Sequence, residues 1–259
     1  MLQKKNISLV EPGHIYQDED GKIYTSVTTL IKMYAPPFDK EFFSKKKAKE
    51  LGITQAEVLK MWEQNGIEAS NAGTFQHNVA EKIALGIELD EIEQEYSNPI
   101  KVMFEKFDLV STEIFPEKRV YHPEWGICGT ADGLIPKEGK MNIIDYKTCK
   151  DPIRMEGGYW TTDKFTDERI YVLSDKKKFK KPISHLPHSK GNEYALQLSI
   201  YMYILEQWGM VPGFLKLWQI RNKELGEKEN TGIELPYLRE EAKAIIEDFL
   251  KKQLESWGL

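Results

Sequence analysis

GICGTADGLIPKEGKMNIIDYKT, residues 126–148, holds two strand-like runs around a turn. ICGTADGLI and MNIIDYKT are apolar and β-rich, and PKEGK between them carries the Pro and Gly of a turn. Asp145 and Lys147 lie two apart on the second run, so their side chains leave the same face. Met141, Ile143 and Ile144 before them suggest a strand entering a core. A charged pair at the end of such a strand is costly unless it has partners. Asp132 lies on the first run beside Gly129 and Gly133, and a hairpin across PKEGK would bring it close to Asp145. Two carboxylates so placed repel each other unless a cation sits between them. Carboxylate and carbonyl oxygens suit Mg²⁺ or Mn²⁺. The other reading of the stretch is a surface hairpin with Lys147 salt-bridged to an aspartate.

Outward from this stretch, residues 112–122 take on β character, and residues 99–109 read as a helix. Upstream, HIYQDEDGKIYTSV looks like a hairpin around Asp20-Gly21, with Ser26 capping a short helix that runs through Thr29 to Tyr34. Helices are expected over 39–51, 54–65 and 72–85, with Thr54 and Glu57 as a capping box and Gly66 and Gly86 as stops. Downstream, 192–208 is a strongly apolar helix, GFLKLWQIR and TGIEL are strands, and 237–257 is a closing amphipathic helix. Residues 150–190 are polar, basic and interrupted by Gly and Pro. The expected class is α/β, or α+β, with a central mixed sheet flanked by helices. No linker demands a division, so the expectation is one domain over 1–259 with a basic insertion at about 150–190.

Length and composition narrow the classes. With 259 residues, 41% hydrophobic and 30% charged, the chain can bury a core and is not disordered by composition. No run of about 18 apolar residues occurs, so no transmembrane helix and no membrane partner are expected. The opening MLQKKNISLVEPGHIYQ has no apolar core and no Arg-rich stretch, so neither a signal nor a transit peptide is expected. Cys128 and Cys149 are too few for a disulfide framework or a four-cysteine metal site, and a reducing, cytoplasmic compartment is expected. The net charge of −5 neither announces nor excludes a nucleic-acid partner, because binding depends on local basic patches.

Two helices carry further candidates. GTFQHNVAE places His77 and Glu81 four apart on one face, beside Phe75, Val79 and Ile83. A histidine there is a metal ligand or a satisfied structural residue. YALQLSIYMYIL, residues 194–205, is apolar nearly all round and should be buried, and its Gln197 and Tyr201 are again four apart. A buried amide needs hydrogen-bond partners, which an active-site carboxylate, water, phosphate or an ordinary core contact would supply.

In order, the motifs are G-T-x-x-H-x-x-x-E, G-T-A-D-G, I-I-D-Y-K-T and Q-L-x-x-Y. This succession resembles the PD-(D/E)XK nuclease superfamily in its RecB-like exonuclease branch, nearest to phage-encoded nucleases and the mitochondrial genome maintenance exonuclease. YTSVTTLI at 24–31 is similar to the entry segment of those proteins, and Ala131 stands where they usually have Pro. The resemblance covers roughly residues 14–220. It implies a restriction-endonuclease-like core and metal-assisted phosphodiester hydrolysis by Mg²⁺ or Mn²⁺. It implies Asp132, Asp145 and the Tyr146 carbonyl as metal ligands, with Lys147 orienting water or stabilising charge at the phosphate. His77 would help to ligate metal, Glu81 would support it or hold a second ion, and Gln197 and Tyr201 would position DNA or the lysine. Linear DNA is the implied partner, with a single-strand annealing or binding protein beside it, in phage or bacterial recombination, repair or end processing. Some relatives hold an iron–sulfur cluster on four cysteines; with two, none is expected here. No G-x-x-x-x-G-K-[ST] occurs, so no nucleotide cofactor is expected.

Phosphate contacts are sought in the basic runs. KKKFKK, with Lys176, Lys177, Lys178, Lys180 and Lys181, lies where a flap over the cleft could form, with Tyr159 and Trp160 available for stacking. Ser26 and Thr28 could donate to a phosphate at a helix start, beside the capping role of Ser26. The competing functions are a non-catalytic module of the same fold that binds DNA ends, and a structure-selective endonuclease.

Overall fold

Glu138 and Gly139 both have positive φ, 54° and 73°, and join two strands whose last pair is Lys137 with Lys140. A two-residue loop of this kind matches the right-handed twist of the strands it joins. The computed structural model that contains this hairpin describes residues 5–10, 15–110, 112–221 and 231–256.

In chain order the strands are β1 (Ile7–Val10), β2 (Ile15–Asp18), β3 (Ile23–Ser26), β4 (Phe115–His122), β5 (Ile127–Lys137), β6 (Lys140–Cys149), β7 (Gly158–Thr162), β8 (Arg169–Leu173), β9 (Pro212–Arg221) and β10 (Thr231–Leu235). The helices are α1 (Val27–Tyr34), α2 (Lys40–Leu51), α3 (Gln55–Leu85), α4 (Glu91–Tyr96), α5 (Asn98–Lys106), α6 (Lys190–Gln207) and α7 (Arg239–Ser256). Two compact units result: residues 1–36 with 101–259, and residues 37–100 between them in sequence.

The first unit is α+β. Its sheet is mixed, with β3 and β9 parallel to β5 and β6 respectively, and the other pairings antiparallel. The parallel β6–β9 pair requires a crossover, which α6 supplies. One core joins α1, α6 and α7 to β4, β5, β6, β9 and β10. The all-round apolar character of α6 follows from its place, since it touches α1, α7 and several strands at once. Leu196, Leu198, Ile200, Met202 and Ile204 are all fully buried there. Each contributes roughly 1.5–3 kcal/mol relative to exposure. Among the described residues no helix is long and apolar enough to cross a membrane.

The second unit is helical. α3 begins on the capping box of Thr54 and Glu57 and ends at Gly86, whose φ is 66°. It runs unbroken through Gly66, where the sequence suggests a stop. An isolated glycine weakens a helix by about 1 kcal/mol but ends it only where the chain turns left-handed. Gly86 makes that turn; Gly66 does not. β1, α4 and the β7–β8 hairpin are not foreseen from the sequence, being short and weakly patterned.

The basic run is likewise not a free flap. Phe179, in its middle, is 2% exposed and belongs to the main core, while Lys180 donates through its backbone to Tyr34 and through Nζ to Met33. Lys176, Lys177, Lys178, Lys180 and Lys181 are exposed around this anchor. Phe179→Ala should therefore cost about 3–5 kcal/mol of stability, read by urea unfolding. A change below about 1 kcal/mol would mean that the run is not anchored.

Candidate functional site

β4 and β5 pair with Pro116 opposite Gly133 and Lys118 opposite Ala131. β5 and β6 pair with Gly133 opposite Ile144. Continuing both registers by one residue sets Asp132 opposite Glu117 on one side and opposite Asp145 on the other. Opposite residues share a face, so three carboxylates from three strands form a row. A Glu117 carboxylate oxygen lies within 4.8 Å of one of Asp132.

At this row the β5–β6 ladder stops, and a side chain takes the next backbone bond. The Tyr146 N–H donates to Asp132 Oδ2 at 3.0 Å. Lys147 Nζ lies 2.8 Å from Asp145 Oδ2 and 3.5 Å from Asp132 Oδ2. Asp145 is 0% exposed and Asp132 6%. Burial by itself would lower the Lys147 pKa, but the charges of Asp132 and Asp145 and the hydrogen bond to Asp145 outweigh it. The result is a pKa above the ordinary lysine value, so Lys147 is a permanent ammonium here.

Glu117 is the residue that sequence reasoning misses. Its φ is 49°, in the left-handed region that glutamate rarely adopts. Such conformations cost about 1–3 kcal/mol and cluster at working sites. Lys147 pairs with Asp132 and Asp145, and Glu117 adds a third carboxylate beside Asp132. The donor set is all oxygen on this unit, which fits a hard cation such as Mg²⁺, Mn²⁺ or Ca²⁺ without choosing among them.

α6 supplies the neighbouring wall. Gln197 and Tyr201 are both buried, and Gln197 Nε2 donates to the Tyr201 hydroxyl at 3.2 Å. Burial pushes the Tyr201 hydroxyl well above its ordinary pKa, so it stays protonated. Tyr201 packs against Gly129 of β5, where a Cβ would collide with its ring and hydroxyl. The lysine meets a different residue of this helix: Lys147 Nζ lies 5.8 Å from the Tyr194 ring centroid. Tyr194 falls one turn before Gln197, and the apolar pattern of the helix conceals it.

Ser26 is the N-cap of α1, its Oγ accepting from Thr29 N at 3.0 Å and lying 3.1 Å from Thr28 Oγ1. The capping alternative thus describes its observed bonds. His77 and Glu81 are half-buried on α3 in the helical unit. Trp160 makes an edge contact with Tyr171 and lies under the Arg154 guanidinium.

No family model and no curated protein matches the chain. A solved structure described as "Crystal structure of SSO0001" is similar at 15% identity and a TM-score of 0.34. The match covers 88% of this chain and 76% of that one. At that score the likeness carries no argument.

The contact of Tyr201 with Gly129 has a direct consequence. Gly129→Ala should lower stability by about 1–3 kcal/mol through overpacking, read by thermal unfolding. The double variant with Tyr201→Phe keeps the ring in place and should recover little. With Tyr201→Leu most of the loss should be restored. Equal behaviour of the two doubles would contradict the contact.

Proposed function

We propose that this chain is a metal-dependent deoxyribonuclease of the PD-(D/E)XK type, acting as an exonuclease on linear DNA. The observation that carries the reading is the row of Glu117, Asp132 and Asp145 with the Lys147 ammonium across two of them. Asp132, Asp145, Glu117 and the Tyr146 carbonyl would hold Mg²⁺ or Mn²⁺; His77 and Glu81 join them on their sequence motif. The bound ion supplies charge neutralisation at the phosphate and a water of lowered pKa.

The protein's own groups do the rest. Lys147 keeps a fixed positive charge at the mouth of the row, where charge develops on a phosphate during hydrolysis. Its ion pairs hold it there before substrate arrives, so little reorganisation is needed. Tyr146 N–H fixes the Asp132 carboxylate. Gln197 and Tyr201 form a buried wall beside the row. The exonuclease choice, and a role in recombination, repair or end processing, rest on the motif order.

End-labelled linear and closed circular DNA should be incubated with Mg²⁺, Mn²⁺ or EDTA. Metal-dependent loss of linear DNA only is expected, slowed at least about 100-fold in Lys147→Ala. Cutting of circles would make the chain an endonuclease. Bound but uncut DNA would make it a binding module.

A cation site should also be visible without substrate. At a Mn²⁺ concentration of about 100 times Kd, stability should rise by about 2.7 kcal/mol. Asp132→Asn should abolish the rise, and Glu117→Gln should reduce it. A rise unchanged in both variants would put the ion elsewhere.

The exposed lysines around Phe179 are proposed phosphate contacts. Replacing Lys176, Lys177, Lys178 and Lys181 by Ala should make log K against log salt shallower, by roughly 0.7–0.9 for each phosphate no longer neutralised. An unchanged slope would remove the run from the DNA surface.

A further inference from the structure

Beyond Lys147 the chain leaves β6 and lines a cavity of about 330 Å³ together with the β7–β8 hairpin and the start of α6. The cavity adjoins the carboxylate row. Cys149, two residues past Lys147, and Tyr194, whose ring faces the lysine, are both in its wall.

Arg154 is its most informative side chain. The backbone on either side is tied down by four bonds. Ile153 N–H donates to Gln219 Oε1 at 2.7 Å, and Gly191 N–H donates to the Arg154 carbonyl at 3.0 Å. The Met155 carbonyl accepts from Ser189 Oγ at 2.8 Å and from Asn192 Nδ2 at 3.0 Å. The guanidinium itself lies 5.7 Å from the Trp160 ring and 5.9 Å from the Tyr171 ring. Both rings are held by their polar ends. Trp160 Nε1 donates to the Pro152 carbonyl at 3.0 Å, and the Tyr171 hydroxyl to the Glu156 carbonyl at 2.6 Å.

Neighbouring cations have carboxylate partners: Arg169 has Asp151, and Lys190 has Glu193. Among the described residues Arg154 has none. An exposed guanidinium held beside aromatic rings matches the oxygens of a phosphate. The aromatic wall beside it suits a flat, partly apolar group. Phosphate and flat ring together describe a nucleotide.

We propose that this cavity binds one nucleotide of the substrate strand, its phosphate on Arg154 and its base on the aromatic wall. The inference rests on the nuclease reading for its substrate, but not for its test. Metal-free, full-length protein should be titrated calorimetrically with thymidine 5′-monophosphate, thymidine, inorganic phosphate and hexathymidylate. The monophosphate should bind at least about tenfold tighter than thymidine or phosphate, as charge-assisted hydrogen bonds require. Arg154→Ala should bring it down to thymidine, and Arg154→Lys should restore only part. Arg154 is exposed, so the fold should survive; an unchanged melting temperature checks this.

Hexathymidylate should compete with the monophosphate. If it does not, the site takes a free nucleotide and the strand assignment is overturned. Equal affinities for the three small probes, or indifference to Arg154→Ala, would overturn the site altogether. Cleavage of linear DNA, scored on the same preparations, separates the two readings. Cleavage without nucleotide discrimination removes this site and leaves the nuclease. Discrimination without cleavage does the reverse.

Discussion

Asp145 is fully buried at the point where two strands part, and a carboxylate so placed must be answered by positive charge. Lys147 answers it at 2.8 Å and reaches Asp132 at 3.5 Å. Much of the surrounding architecture follows from this one arrangement. The lysine can reach both acids because Asp132 and Asp145 would be the next pair of the β5–β6 ladder. The ladder stops there because Asp132 takes the Tyr146 N–H that a backbone carbonyl would otherwise receive. With Glu117 added from β4, the row gathers carboxylate oxygens, the donors that a hard divalent cation takes.

α6 makes the burial possible. It shields this part of the sheet along its apolar length, and Gly129 lets Tyr201 come down onto β5 without a Cβ between them. Gln197 then finds its partner within the same helix, at the Tyr201 hydroxyl. The same helix offers Tyr194 to the lysine and, through its first turn, fixes the Arg154 strap. One element thus links the carboxylate row to the cavity beside it.

The stretch from 150 to 190 shows how composition misleads. Its lysines suggest a loose, solvated flap, yet Phe179 is buried in the main core and Lys180 is tied by its backbone and its ammonium. One aromatic residue outweighs five charged neighbours, because lysine side chains reach water from a fixed backbone at little cost. Trp160, in the same stretch, donates its indole N–H to the Pro152 carbonyl and carries the Arg154 guanidinium over its ring.

The β5–β6 hairpin, with Asp132, Asp145 and Lys147 on one face, was legible from the sequence because every determinant is local. A two-residue turn sets the register, and the period of two sets the face. The same holds for the Ser26 cap, the capping box before α3 and the burial of α6. Glu117, Tyr194 and Arg154 were decided only by tertiary structure. Glu117 depends on the β4–β5 register carried along the strand from the turn at 123–126, and on a left-handed φ that the sequence does not mark. Tyr194 depends on which side of a wholly apolar helix meets the lysine. Arg154 depends on bonds from β9 and α6, remote in the chain, that hold an otherwise irregular segment. Local patterning determines which residues can share a face; only long-range packing determines which faces meet.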